Sequence, residues 1–403
     1  MREGNTKWIW AVGLDLGDRF SRACVLDRAT GVVLREERVA TTPAGMGQFL
    51  RSLEGCRVVI EVGTHSPWVS REIEAAGHEA VVAKAGRLPL IFRDHRKCDR
   101  RDAEYLARLG RMDVKLLEPL QHRSEAAQRD LASLRSRDSL IAARTLLINH
   151  CRGLLKSFGQ RFAACSAGSF ARRAASQVPE SLLPALSPVL EAIQQLSTQI
   201  RAYNRGLEGM IQERYPTAAQ LRQVHGVGPV TALHYVLTIE DPWRFARPRT
   251  VAAYVGLVPR RHASGESDPQ LHITHAGDRR LRQLLVECAQ HILGPFGADS
   301  QLRRFGERLL ERGGPRAKRR AVVAVARKLA VLLLVLDSTF AVGIGNTLWW
   351  FFGVNLVQGG FNLVPAFPMD GGRLLRAFLG RKRSWLAATE IAVRVGRNVA
   401  FLL

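Results

Sequence analysis

Short apolar runs, each stopped by a polar or charged residue, recur from Trp8 to Lys84 and constrain the fold more than any other feature. WIWAVGLD (8–15) is β-prone and ends in the carboxylate of Asp15. SRACVLD and VVLREERVA follow as second and third strands, and Thr41 to Glu54 has helical spacing. RVVIEV (57–62) is again a strand, with Glu61 near its C-terminal end; Ser70–Ala76 reads as helix and EAVVAK (79–84) as strand. Runs of this length, rich in β-branched residues and bounded by turn formers, are strands rather than buried helices. The order β-β-β-α-β-α-β predicts an α/β domain built on a mixed sheet.

Helical patterns then take over. Residues 99–112 form a helix with Asp99 near its start, and 125–160 continue as an amphipathic helix rich in Leu, Arg and Ala. Residues 186–210 carry a heptad: Leu186, Ile193, Ile200 and Leu207 at one core position, Val189, Leu196, Tyr203 and Met210 at the other. Such spacing predicts a coiled coil, within the chain or between subunits, with a single helix packed on its own domain as the alternative. Residues 221–294 read as a second compact unit of helices and turns, followed by a basic stretch at 303–328. From Ser338 to Met369 there is no charged residue.

The balance of charge narrows the partner. The 403 residues carry a formal net charge of +23, which points to a polyanion, nucleic acid before others. A merely solvated, Arg-rich surface is the alternative. With 46% apolar residues, the bulk is not disordered. None of the six cysteines forms a CxxC pair, which argues against a zinc ribbon or a disulfide framework. The first residues lack the apolar stretch of a signal peptide, so a cytoplasmic, nucleoid-associated protein is expected.

Four carboxylates stand out. Asp15 and Glu61 end strands, and Asp99 and Asp102 are three apart on one helix, sharing a face. Metal-dependent phosphodiester chemistry needs such a set, because two Mg²⁺ ions take several hard oxygen ligands converging at sheet edges and an adjacent helix. Taken singly, Asp99 reads equally as an N-cap and Asp102 as a first-turn charge favoured by the helix dipole.

GLDLGDRFSRACVLD, VVIEVGTHSPWVSREIEAAGHEAVVA and RKCDRRDAEYLARL together resemble the DEDD signature of the insertion-sequence-110 transposases. The resemblance implies a RuvC-like N-terminal domain with an RNase H fold, its four acids falling on Asp15, Glu61, Asp99 and Asp102. Cys98 stands where Thr or Asn is commoner before the third acid. The resemblance covers residues 8 to about 335, in order and with family-like spacing.

LRQVHGVGPVTALHYVLTI (221–239) reads as a helix-hairpin-helix element, in which Gly226 and Gly228 would bring backbone N–H groups close to a phosphate. An ordinary helical corner is the alternative. The segment 245–289 resembles the same family's C-terminal transposase domain, and GLVPRRHASG places the family's serine nucleophile at Ser264, with Ser267 as a nearby competitor. The resemblance implies that this hydroxyl attacks a DNA phosphate and becomes joined to the strand. Such a hydroxyl needs activation, which metal held by the four acids would supply in a composite site. Arg260 and Arg261 would stabilise charge on the phosphate. His272 and His275 read as loop or DNA-backbone contacts, and Arg279, Arg280 and Arg282 as phosphate contacts or a solvated face. The resemblance also implies a structured guide RNA, transposon-end and target DNA, and a homo-oligomer, dimer or tetramer.

The tail is foreign to that family. Residues 347–368 are long enough to span a bilayer, although Asn355, Asn362 and two prolines suit a lipid-facing helix poorly. FNLVPAFPMDGGRLLRAFL resembles the site-2 intramembrane metalloproteases, whose third zinc ligand would be Asp370. Their HExxH is missing from the whole sequence, so no protease activity is expected. The simplest account is a transposase frame fused to a protease-gene fragment, whose apolar tail would touch membrane or drive aggregation.

The expected organisation is a RuvC-like domain over 1–118, a helical coiled-coil region over 119–215, a mainly α C-terminal transposase domain over 216–336, and a membrane-like tail over 337–403. The expected activity is DNA strand cleavage and exchange. The alternatives are a resolvase-like or non-catalytic nucleic-acid binder, or an inactive fusion.

Overall fold

The computed structural model describes residues 8–84, 99–262, 264 and 271–341, together with scattered positions between 377 and 393. Cys98, Ser267, the apolar run 347–368 and Asp370 lie outside the described residues. The chain divides into two compact units, Met1–Glu125 and Ala126–Leu403.

The first unit is a five-stranded sheet: β1 (Trp10–Asp15), β2 (Phe20–Asp27), β3 (Val33–Ala40), β4 (Cys56–Glu61) and β5 (Glu79–Ala83). Its spatial order is β3-β2-β1-β4-β5. β2 lies antiparallel to both β1 and β3. β4 runs parallel to both β1 and β5. The parallel crossovers are made by helices, α1 (Pro43–Arg51) before β4 and α2 (Ser66–Ala75) before β5. Thr42 caps α1 by accepting from the Gly45 amide, and Pro43 needs no donor at its first turn.

Strand alternation divides the core into two layers. Val12, Leu14, Val58 and Ile60 pack with Met46, Phe49 and Leu50 of α1 and Val69 and Ile73 of α2. On the opposite face Ala11, Cys24 and Leu26 pack with Ala103 and Ala107 of α3 (Asp99–Met112). Val59 and Val81 meet Leu106 of the same helix. The approach of α3 is close enough to require glycine: a Cβ on Gly13 would collide with the Ala103 carbonyl and the Ala107 amide. At the far end of the sheet the Arg111 guanidinium donates to the carbonyls of Arg28, at 2.8 Å, and Ala29, at 3.0 Å. Trp8 is held there between Arg28 and Arg57, each within 4.5 Å of its ring. α3 therefore runs against β1, and its first turn points to the end of the sheet where Asp15 lies.

The second unit is helical. α4 (Glu125–Ser157) is followed by the short α5 (Phe170–Ala175) and by α6 (Leu183–Arg214). α4 and α6 run antiparallel, tied at three levels: Asp130 with Arg214, Arg137 with Asn204, and Arg144 with Ser197. Leu186, Ile193, Ile200 and Leu207 of the heptad are all buried, and Leu190, Ser197 and Ile211 join them. Val189, Leu196, Tyr203 and Met210 are only half buried. The buried seam of α6 thus sits one position round from a symmetric pair of stripes.

α7 (Pro216–Leu221) and α8 (Pro229–Ile239) lead to the centre of this unit, where every residue of α8 from Thr231 to Ile239 is buried. α9 (Thr250–Tyr254), α10 (Arg279–Leu293), α11 (Gln301–Glu311) and α12 (Ala317–Ala341) complete it. The Tyr235 hydroxyl donates to the Ala330 carbonyl at 2.7 Å. No helix among the described residues is long and apolar enough to cross a membrane.

Candidate active site

Asp15 and Glu61 close adjacent parallel strands, with Leu14 opposite Ile60 one residue earlier. Asp15 follows the alternation of Ala11 and Gly13, and Glu61 that of Val59, so both belong to the sheet face that α3 covers. The two half-buried carboxylates line one pocket of about 320 Å³ at the C-terminal strand ends, together with Asp18 and the turn Val62–His65. Ligands of open α/β sheets bind in such a crevice.

That turn is rigid. Ser66, fully buried, accepts from the Gly63 amide at 3.0 Å, donates to the Gly63 carbonyl at 2.9 Å, and meets His122 Nε2 at 2.9 Å. Burial, with help from Arg71 and Arg123, holds the His122 pKa below its usual value, which keeps that ring neutral. Trp68 Nε1 donates to His65 Nδ1 at 3.1 Å. His65 Nε2 lies 3.8 Å from Asp18. Sequence reasoning missed His65 and Trp68. Their only signal is local: a His-Ser-Pro-Trp run immediately after a strand-ending acid.

Asp99 and Asp102 occupy the first turn of α3. Asp99 is exposed and Asp102 is buried, and neither lines the pocket of Asp15 and Glu61. Among the described residues no group of three or more His, Cys, Asp or Glu side chains is placed to hold a metal ion. Two of the four predicted acids, Asp15 and Glu61, thus line one pocket, and the other two lie in the first turn of α3. Two hard carboxylates in an open pocket suit Mg²⁺, which keeps several waters and takes one or two protein carboxylates beside substrate phosphates.

In the second unit Ser264 is exposed, as are Arg260 and Arg261. The flanks of this segment are clamped together. Arg260 N donates to the His272 carbonyl at 2.8 Å and Thr274 N to Val258 at 2.9 Å, with Pro259 bridged to Ile273. Gly256 and Gly277 both have positive φ, and a Cβ on either would strike the opposite flank, at Ala276 and Tyr254 respectively. His272 and His275 are exposed.

Arg282 departs from its reading as a phosphate contact. It is buried, and its Nη1 donates to the carbonyls of Val255, at 3.1 Å, and Ala276, at 2.6 Å, one on each flank. Position explains this. Arg282 lies beside Leu281 and Leu285 on the stripe of α10 that enters the core. Arg280 holds Asp138 through Nε at 2.6 Å and Nη2 at 3.2 Å, whereas Arg279 is exposed. The two glycines also differ. Gly226, at φ 89°, makes room for Ile292 and His291 of α10. Gly228 caps α8 with open space beside it.

Three stretches of the chain match known protein families. Residues 12–159 match a transposase family model of the DEDD, insertion-sequence-110 type. Residues 218–305 match the transposase IS116/IS110/IS902 family. The chain is 29% identical over 337 residues to a Pseudomonas aeruginosa protein named "Probable family 20 transposase", covering 81% of this chain and 96% of the other. It is 27% identical over 361 residues to the transposase for insertion sequence element IS1111A of Coxiella burnetii, covering 85% and 94%. Residues 318–403 match peptidase family M50. There the chain is 42% identical over 77 residues to a zinc metalloprotease of Methanocaldococcus jannaschii, 19% of this chain and 23% of that one.

Proposed function

The chain belongs to the IS116/IS110/IS902 transposase family through residues 12–159 and 218–305 and ends in a segment similar to peptidase family M50, and on that footing we propose that it cuts and rejoins insertion-sequence DNA by metal-assisted phosphoryl transfer. The observation that carries this reading is the pairing of Asp15 and Glu61 in one pocket. The strand order β3-β2-β1-β4-β5 supports a RuvC-like, RNase H-type first unit. When bound, Mg²⁺ would polarise a phosphoryl oxygen and offset the charge that develops on it. Asp15 and Glu61 are the proposed first ligands, with Asp99 and Asp102 of α3 as the remaining acids of a two-ion set.

Ser264 is the proposed nucleophile. Its Oγ–phosphorus bond forms as the bond from phosphorus to the leaving strand's oxygen breaks; the serine proton is lost to solvent or a base, and the leaving oxygen takes one up. The exposed Arg260 and Arg261 suit a phosphate neighbour. Arg279 and the amides at the Gly228 end of α8 are proposed backbone contacts, and Arg280 contributes once exchanged from Asp138. Guide RNA, transposon-end DNA and further copies of the chain are the proposed partners. The tail adds no protease activity, because a single aspartate cannot hold catalytic zinc.

The test is a strand-cleavage assay with the full chain, transposon-end DNA, the element's flanking RNA and Mg²⁺. Ser264→Ala should abolish covalent protein–DNA linkage while DNA binding persists. Asp15→Asn and Glu61→Gln should each slow cleavage by about 100-fold or more. Linkage surviving in Ser264→Ala contradicts the serine assignment, and undiminished cleavage in both acid variants contradicts the pocket.

A further inference from the structure

The pocket lined by Asp15, Asp18 and Glu61 also holds an imidazole. His65 sits on the turn that lines it, with a side chain 28% exposed. Its ring is oriented by Trp68, whose Nε1 donates to His65 Nδ1 at 3.1 Å. An indole N–H is only ever a donor, so Nδ1 must accept. In the neutral ring the proton is therefore on Nε2. The fixed proton sits on the nitrogen that has Asp18 at 3.8 Å, beyond hydrogen-bond range, and Asp18 is itself 95% exposed. The turn beneath is held by buried Ser66. A donor fixed in one tautomer, on a hydrogen-bonded turn and beside carboxylates that suit a cation, fits the oxygen of a phosphate that arrives with that cation.

We propose that His65 is a substrate-binding residue of this pocket, donating its Nε2–H to a non-bridging oxygen of a nucleic-acid phosphodiester, with Trp68 as the positioning residue that sets its tautomer. This rests on the reading of Asp15 and Glu61 as the phosphoryl-transfer site. The carboxylates and the donor divide the work: the acids take a cation, and the imidazole meets the phosphate oxygen that the cation leaves uncovered. The charge of the phosphodiester makes that hydrogen bond a strong one.

The experiment uses the full chain with Mg²⁺, transposon-end DNA and flanking RNA, and compares His65→Ala, Trp68→Phe and Asp15→Asn. His65→Ala should slow cleavage by about 100-fold, as losing one fixed donor to a reacting phosphate does, with the melting temperature near wild type. Trp68→Phe, which keeps the ring but not the donor, should fall between. Nitrogen-15 NMR of histidine-labelled protein without DNA should show His65 as the Nε2–H tautomer, and a tautomer mixture in Trp68→Phe. Wild-type cleavage in His65→Ala while Asp15→Asn is inactive overturns the histidine proposal alone. Wild-type cleavage in Asp15→Asn overturns the pocket itself and the proposal with it. An unchanged His65 spectrum in Trp68→Phe overturns the role of the indole.

Discussion

Arg282 shows how one side chain can set the geometry of a segment it does not belong to. Its guanidinium is buried, and one nitrogen joins the carbonyls of Val255 and Ala276, the two flanks that present Ser264. Removing it leaves one buried and one partly buried carbonyl without their donor, each worth on the order of 1–3 kcal/mol. Arg282→Met should therefore lower stability by about 3 kcal/mol in urea unfolding and slow covalent linkage further than stability explains. Unchanged unfolding would refute the clamp. A second buried charge behaves differently. Asp337 is 4% exposed and its Oδ2 has no hydrogen-bond partner among the described residues; burial pushes its pKa up to about 6, against 3.8 when free. The nearby Tyr235 hydroxyl is pushed above its usual value, by burial first and then by Asp337. For an acid raised in this way, the neutral form favours the fold. That contribution is whole below pH 3.8 and is lost as pH rises through about 6, a difference of about 3 kcal/mol. Asp337→Asn should raise the melting temperature at pH 7.5 and flatten its fall between pH 4 and 6.5. A wild-type pH profile in that variant would show Asp337 to be solvated.

At the scale of elements, the packing of α3 on the sheet decides where the acids go. Gly13 and Gly110 are two positions at which a Cβ would enter the opposing element, the first against α3 backbone and the second against the Val59 side chain. A side chain can turn aside and a backbone cannot, so Gly13→Ala should cost more than Gly110→Ala. The expected loss for Gly13→Ala is about 3 kcal/mol, the upper end for overpacking, read by chemical denaturation together with strand cleavage. Equal, small losses would mean that α3 is free to shift. These elements were largely legible beforehand. WAVGLD and RVVIEV carry strand periodicity up to their terminal acids, and the helix predicted over 99–112 is the one observed. Apolar spacing reports which face is buried, however, and not which polar groups meet. It therefore found the stripe of α6 but not the tilt that buries Leu190, Ser197 and Ile211. It took Arg282 for a surface cation because charge outweighed its place beside Leu281 and Leu285. It could not see that Trp68 orients His65, because that contact lies in a turn.

The whole molecule combines two folded units with a segment of other ancestry. The peptidase-like match begins at residue 318, inside α12, whose buried face runs from Ala321 through Leu333 to Asp337. The helical core therefore uses residues that the tail's match also claims, and a chain cut at residue 336 would lose the buried Asp337 of α12. The net charge of +23 suits a protein whose substrate and proposed guide are both polyanions. Nothing in that charge selects a site; the proposed site is the pocket in which Asp15 and Glu61 come together in a strongly basic chain. The most direct test of that pairing is Mn²⁺ binding to the full chain, followed by electron paramagnetic resonance of the free ion. Binding should be present in the wild type and in Ser264→Ala, and lost in both Asp15→Asn and Glu61→Gln. Binding of wild-type strength in the two acid variants would contradict the account.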